Sequence, residues 1–299
     1  MKTIVLIAKA YGPASVLEFA SRELPPLQPG VARIRVSAAG VNPIDARRMT
    51  GKFRSSALPQ LFGTEFAGTV IQVNPGEKGW KLGDEALGSG QGFTHATVID
   101  VPFENLVRRP RNMDWAVAGS IAGAAQTATT VLDELGPMKS LLIHGASGGV
   151  GSIAIQLARE RGITVVATAS ARNQDYLRTL GANAVEYGPG LIGRLEQAHP
   201  EPFDASVDMI GSEDATQASL ARVKPEGTLG TIAGRNLSSA RIKPMWVKRS
   251  RANLEHVVKA IAEGRMVWEV SARHSFARAA DAYAGVLDGH TRGKSVLTF

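Results

Sequence analysis

The segment His144-Gly145-Ala146-Ser147-Gly148-Gly149-Val150-Gly151 decides how this chain is read. It follows Leu141-Leu142-Ile143, a continuous apolar run of strand type. It leads into residues 150–161, where Ile153, Ile155, Leu157 and Ala158 are placed for a buried helix. Strand, glycine turn and helix in succession are what a dinucleotide site requires. One glycine makes the tight turn, one lets backbone approach a pyrophosphate, and one allows close helix–sheet packing. The helix start adds unpaired N–H groups and the positive end of its dipole. On this reading Gly145, Ala146, Ser147, Gly148, Gly149, Val150 and Gly151 bind the cofactor. The spacing is Gly-x-x-Gly-x-x-Gly, so its weight comes from the flanking strand, helix and strand. The same residues also fit Gly-x-Ser-x-Gly, the nucleophile elbow of an α/β-hydrolase-type serine esterase, with Asp208 and His274 following in suitable order. A hydrolase does not need Gly151, and it does not place a long β-rich stretch before its elbow.

Outward from the turn, strands alternate with helices. A strand is expected at 164–169, a helix at 171–180 ending on Gly181, and strands at 184–187, 205–210 and 228–233. That alternation predicts a parallel sheet with right-handed crossovers, an α/β fold of Rossmann type. Earlier in the chain, β-like runs at 3–8, 31–38, 66–73 and 93–99 are separated by turns such as Asn74-Pro75-Gly76 and Leu82-Gly83-Asp84. Helices at 253–263 and 277–287 and a strand at 294–299 follow the α/β part. With β-rich sequence at both ends, the nucleotide-binding domain reads as an insert. The expected division is 1–114, 115–252 and 253–299, the first and last forming one domain.

The 299 residues are 44% apolar and 20% charged, the profile of a folded chain rather than a disordered one. No apolar run reaches the roughly 20 residues of a membrane span. The N-terminal apolar run meets Lys9 too soon for a signal peptide, so a cytoplasmic location with no membrane partner is expected. The absence of cysteine excludes disulfides, a thiolate nucleophile and Cys-ligated zinc or iron–sulfur clusters. The six histidines form no metal-binding helix pair, and no metal is expected. The net charge is +7, with a run at 235–251 that holds Arg235, Arg241, Lys243, Lys248, Arg249 and Arg251 and no acid. Three readings of that run stay open: a solvated surface, a site for an anionic cofactor or substrate, and nucleic acid. Neither zinc-finger spacing nor an RNA-recognition signature supports the last, and no nucleic-acid partner is expected.

The second strand of the α/β part bears on the choice of cofactor. NAD sites end this strand with Asp or Glu on the ribose hydroxyls. Here the sequence reads Thr168-Ala169-Ser170-Ala171-Arg172, and the next acid is Asp175. A carboxylate repels the 2′-phosphate of NADP, whereas a hydroxyl and a guanidinium attract it, so NADPH is favoured. An arginine at a helix start opposes the dipole unless an anion sits beside it.

Further motifs run along the whole chain. They are Ala38-Ala39-Gly40-Val41-Asn42-Pro43-Ile44-Asp45, Phe62-Gly63-Thr64-Glu65-Phe66-Ala67-Gly68, Gly83-Asp84, Gln126-Thr127-Ala128, Gln156-Leu157-Ala158, Leu180-Gly181-Ala182 and Gly289-His290-Thr291-Arg292-Gly293-Lys294. With the glycine turn, they resemble the zinc-independent branch of the medium-chain dehydrogenase/reductase superfamily, the quinone oxidoreductase and enone reductase group. The resemblance implies a GroES-like catalytic domain built from both chain ends, and commonly a homodimer. It implies that Thr127 lies near the nicotinamide half of the cofactor, with Ser170, Arg172 and Tyr187 around the 2′-phosphate. Asn42 stands where zinc-dependent relatives carry a cysteine ligand. Arg47 and Phe53 depart from the group, many of whose members have tyrosine at both positions.

The expected chemistry is hydride transfer from NADPH to a quinone or an α,β-unsaturated carbonyl, with the protein orienting the acceptor and stabilising its oxyanion. Asn42, through its amide N–H, and Arg47 are the catalytic candidates. Asp45, Phe53 and Glu65 are assigned to the substrate pocket. Each has a structural alternative: Asn42 and Asp45 capping a helix start, Arg47 at the surface, Glu65 paired with a buried arginine. His95 reads as structural. A non-catalytic NADPH-binding module is the alternative function, motivated by the missing tyrosines.

Overall fold

The structure, a computed structural model, describes residues 1–54, 57–90, 92–234, 239–289 and 291–299. Arg235 of the basic run and His290 of the closing motif lie outside the described residues. The chain divides into two units. One takes residues 1–123, 249–265 and 269–299; the other takes 124–248 and 266–268. The first change of unit thus falls past 114, because the helix Trp115–Ala118 packs onto the strand Val31–Val41. Gly40 N–H donates to Gly119 O at 2.8 Å, and Ala116 is buried against Ala38 and Val296.

In the first unit the strand Val31–Val41 is the organiser. It is buried along most of its length and pairs antiparallel with Glu65–Gln72, Val98–Pro102 and Lys294–Thr298. Beyond Lys294–Thr298 lies Val270–Ser275; beyond Glu65–Gln72 lie Glu85–Ser89 and Leu106–Arg108. A smaller sheet sets Lys2–Ala8 between Leu17–Glu23 and Gln60–Leu61. One core joins Val5, Ile34, Phe66, Ile99 and Leu106. Another joins Leu6, Val41, Met49, Phe62, Tyr283 and Leu297, so the chain ends share their interiors with the N-terminal strands. Of the run expected at 93–99, only its end enters a strand, Val98–Pro102. The strand Leu17–Glu23 carries no fully buried residue, which is why the sequence reading passes over it.

The second unit is a parallel sheet in the order Asn183–Glu186, Thr164–Ala169, Ser140–His144, Phe203–Asp208, Val223–Thr231, Ile242–Pro244. The order reverses at Ser140–His144, the topological switch point where ligands of such sheets bind at the carboxyl ends. All five residues of that strand are buried. The helix Gly149–Glu160 follows it and buries Ile153, Ile155, Leu157 and Ala158, as the pattern predicts. Gln156 holds the short segment 266–268 to this unit: its Nε2 donates to Val267 O at 2.9 Å and its Oε1 accepts from Val267 N–H at 2.7 Å. Gly181 ends the helix Gln174–Leu180 at φ +90°, a left-handed cap.

Candidate functional site

The glycine turn has the geometry of an anion cradle. Gly145 turns the chain at φ +72°, and Ala146 N–H donates to Thr168 O of the adjacent strand at 3.1 Å. Gly148 caps the helix with no side chain, and its own N–H turns back to Gly145 O at 3.3 Å. The N–H groups of Gly149, Val150 and Gly151 have no acceptor among the described residues, as in any first helical turn left for a ligand or water. A Cβ at Gly148 would meet nothing nearer than Gly145 O at 3.6 Å, so the space before the helix start is open. A Cβ at Gly151 would lie 2.6 Å from Ala146 Cα, so here glycine is needed for the helix to approach the turn. These features fit a dinucleotide pyrophosphate.

Ser147 points elsewhere than a nucleophile would. Its hydroxyl accepts from Asn173 Nδ2 at 3.2 Å, and the same amide reaches Ser170 Oγ at 3.2 Å. A serine elbow needs an imidazole on that oxygen. Ser170 follows the strand Thr164–Ala169, whose Ala169 is in register with Glu186, so Tyr187 stands beside it one strand over. Ser170 is half-buried, Arg172 and Tyr187 are exposed, and Thr127 is half-buried on the helix Ala122–Leu135. Beneath the turn, His144 Nδ1 pairs with Thr168 Oγ1 at 3.1 Å, while its buried Nε2 has no partner among the described residues; burial lowers its pKa to about 4. Asp208, in register with His144, accepts from the Ile210 and Gly211 N–H groups at 2.8 and 3.0 Å, and burial raises its pKa.

Most described cations of the basic run are tied locally. Arg241 donates to the Lys224 and Pro225 carbonyls, Lys248 pairs with Glu134, Arg249 donates to Gly90 O, and Arg251 pairs with Glu255. Its residues belong to both units.

In the first unit the motif residues 42, 45 and 65 converge. Asn42 precedes the helix Pro43–Met49, and Asp45 caps that helix start: Oδ2 accepts from Asn42 N–H at 3.0 Å and Oδ1 from Gly63 N–H at 3.0 Å. Glu65, fully buried, pairs with Lys294 Nζ at 2.6 Å and not with an arginine. The same Oε1 accepts from Asn42 Nδ2 at 2.8 Å, and Oε2 accepts from Gly123 N–H at 2.6 Å. Lys294 also donates to Asn42 Oδ1 at 2.6 Å. The opposed charges fix the carboxamide, with oxygen toward the ammonium and nitrogen toward the carboxylate. The second Nδ2 hydrogen goes to Thr64 Oγ1 at 3.3 Å. Asn42, expected to offer its amide N–H to an oxyanion, therefore spends both hydrogens inside the cluster.

Behind this cluster His95 lies between Gly40 O at 3.1 Å and the Tyr283 hydroxyl at 2.9 Å. A carbonyl only accepts, so Nε2 carries the proton and Nδ1 accepts from Tyr283. Burial lowers the His95 pKa and raises that of Tyr283, and both are neutral. Arg47 and Phe53 are half-buried, with Phe53 N–H donating to Arg47 O at 3.0 Å. Lys294 and the Gly123 amide, which hold the two Glu65 oxygens, are among the cluster members that have no role in the sequence analysis. The motif containing Lys294 was visible, but its partner lies 229 positions away.

A parallel sheet with an anion cradle at its switch point, joined in one chain to a β-rich unit with a buried polar cluster, is the build of a two-domain nucleotide-binding protein. The alcohol dehydrogenase GroES-like domain family matches residues 28–134, and the zinc-binding dehydrogenase family matches residues 149–271. The NADPH-dependent alkenal/one oxidoreductase of Arabidopsis thaliana chloroplasts is 32% identical, over 96% of this chain and 77% of its own. A chloroplast envelope quinone oxidoreductase homolog of the same plant is 28% identical, over 96% of this chain and 95% of its own. The solved quinone oxidoreductase of Coxiella burnetii covers both chains completely, at 25% identity and a TM-score of 0.88. The chain belongs to the medium-chain dehydrogenase/reductase superfamily, whose oxidoreductases use a nicotinamide cofactor and act on small molecules. The esterase reading falls with that membership. Among the described residues no helix is long and apolar enough to cross a membrane.

Proposed function

We propose that the chain is an NADPH-dependent, zinc-independent reductase of quinones or α,β-unsaturated carbonyls. The observation that carries the cofactor choice is the end of the strand Thr164–Ala169, where Ser170 and Arg172 stand in place of a ribose-binding carboxylate. The names of the relatives support the acceptor class. Bound at the glycine turn, the cofactor supplies the hydride. The helix start at Gly149–Gly151 holds the pyrophosphate, Ser170, Arg172 and Tyr187 hold the 2′-phosphate, and Thr127 borders the nicotinamide. Arg47 and Phe53 border the acceptor, with Arg47 as a donor to its oxygen.

A zinc ion does not fit this donor set. The chain has no cysteine, and no group of three or more His, Asp or Glu among the described residues could hold a metal. Glu65, the buried carboxylate next to Asn42, is already paired with the Lys294 ammonium. The deciding experiment follows the loss of nicotinamide absorbance with benzoquinone, a naphthoquinone, an alkenal and a cyclic enone, using NADPH and NADH in parallel. Turnover faster with NADPH is expected. NADPH binding without turnover of any acceptor would replace this reading with the non-catalytic module.

A further inference from the structure

Counting donors in the buried cluster of the first unit leaves a single charged one uncommitted. An ammonium has three N–H groups. Lys294 sends one to Glu65 Oε1 and one to Asn42 Oδ1, both at 2.6 Å, and its third has no acceptor among the described residues. The Asn42 amide has none to spare, because its two hydrogens go to Glu65 and Thr64. The Glu65 carboxylate is held by Lys294 and Asn42 on Oε1 and by the Gly123 N–H on Oε2.

We propose that Lys294 donates its third N–H to the developing oxyanion of the acceptor, the task that position 42 cannot perform. The proposal rests on the reductase reading above. Lys294 is 5% exposed and Glu65 fully buried, so the ammonium acts where water screens little. Asn42, half-buried, holds the ammonium by its carbonyl. When hydride reaches the β-carbon of an enone, the carbonyl π pair moves onto oxygen as the new C–H bond forms. Lys294 hydrogen-bonds that oxygen and remains an ammonium, so Glu65 stays paired. The proton that completes the reduction comes from water. With a quinone the same donor meets a hydroquinone anion. Lys294 is then a catalytic residue in the strict sense, touching the reacting oxygen.

A purely structural lysine that only neutralises Glu65 is the competing account, and a pair of variants in the full-length protein separates the two. Lys294→Met leaves Glu65 buried and uncompensated, so both melting temperature and turnover fall. The double variant Glu65→Gln with Lys294→Met removes both charges and restores the melting temperature. If Lys294 is the donor, benzoquinone turnover in the double variant stays about 100–1,000-fold below the parent while NADPH affinity is unchanged. Recovery of turnover to near the parent level overturns the proposal. A second arm does not depend on turnover. Titration with 4-nitrophenol, an oxyanion mimic, should bind the parent as the coloured phenolate and fail with the double variant. Equal phenolate binding by both, or none by the parent, also overturns it. A parent that reduces no acceptor yet binds nitrophenolate through Lys294 would count against the reductase reading alone.

Discussion

Gly148→Ala separates binding from stability at the glycine turn. Gly148 has φ −77° and ψ 171°, ordinary for alanine, and the added Cβ meets only Gly145 O at 3.6 Å. The folded protein therefore accepts the methyl group without strain. Alanine is a poorer helix cap than glycine by under about 1 kcal/mol. Its stiffer unfolded chain offsets about 0.4–1 kcal/mol of that. The melting temperature should stay within about 2–4 °C of the parent. The methyl group nevertheless stands in the open space before the N–H groups of Gly149, Val150 and Gly151, where phosphate oxygens must come to about 2.9 Å. Displacing them costs about 1–3 kcal/mol by analogy with overpacking, or about 10–100-fold in Kd. Titration of NADPH fluorescence, with thermal melts of the same samples, reads both quantities. An unchanged NADPH Kd would mean that the pyrophosphate does not sit at this turn.

Gly151→Ala should show the opposite balance. Its Cβ lies 2.6 Å from Ala146 backbone atoms, against an ordinary carbon contact of about 3.5–4.0 Å, so a stability loss of about 1–3 kcal/mol is expected in urea unfolding. Ser170→Asp places a carboxylate beside the 2′-phosphate, and the ratio of kcat/KM for NADPH over NADH should fall at least tenfold; an unchanged ratio would remove Ser170 from the cofactor site. His144 titrates near 6.5 when unfolded and at about 4 when folded, because burial disfavours its charge. Between those values the unfolded chain binds the extra proton, so stability drops as pH falls from about 6.5 to 4, by up to about 3 kcal/mol. Urea midpoints of His144→Gln should be flatter than the parent's across that window, and parallel curves would contradict the assignment.

Local pattern carries much of this fold. The strand Thr164–Ala169 falls where alternation and flanking turns place it, and the helix Gly149–Glu160 differs from expectation by a single position at each end. Asp45 as a helix cap was legible because a capping carboxylate sits within one turn of its target. Glu65 was visible as a motif residue, but its lysine and amide partners come from distant segments that only the tertiary fold assembles. The same holds for His95, whose tautomer is set by the Gly40 carbonyl, 55 positions away, and whose other nitrogen meets Tyr283, 188 positions away. The helix Ala122–Leu135, buried over most of its length, is absent from the sequence expectations.

The position of the strand Lys294–Thr298, inside the sheet between Val31–Val41 and Val270–Ser275, has a consequence for biosynthesis. The nucleotide unit draws almost all its residues from 124–248, so it can close while the ribosome is still adding the rest. The β-rich unit must wait with a gap beside its longest strand until residues 294–298 emerge and pair with residues 38–41. A nascent or prematurely terminated chain thus displays an unpaired sheet edge, the kind of surface that chaperones and proteases engage. Because the same late segment delivers Lys294, the polar cluster around Glu65 is completed only once that segment has been made.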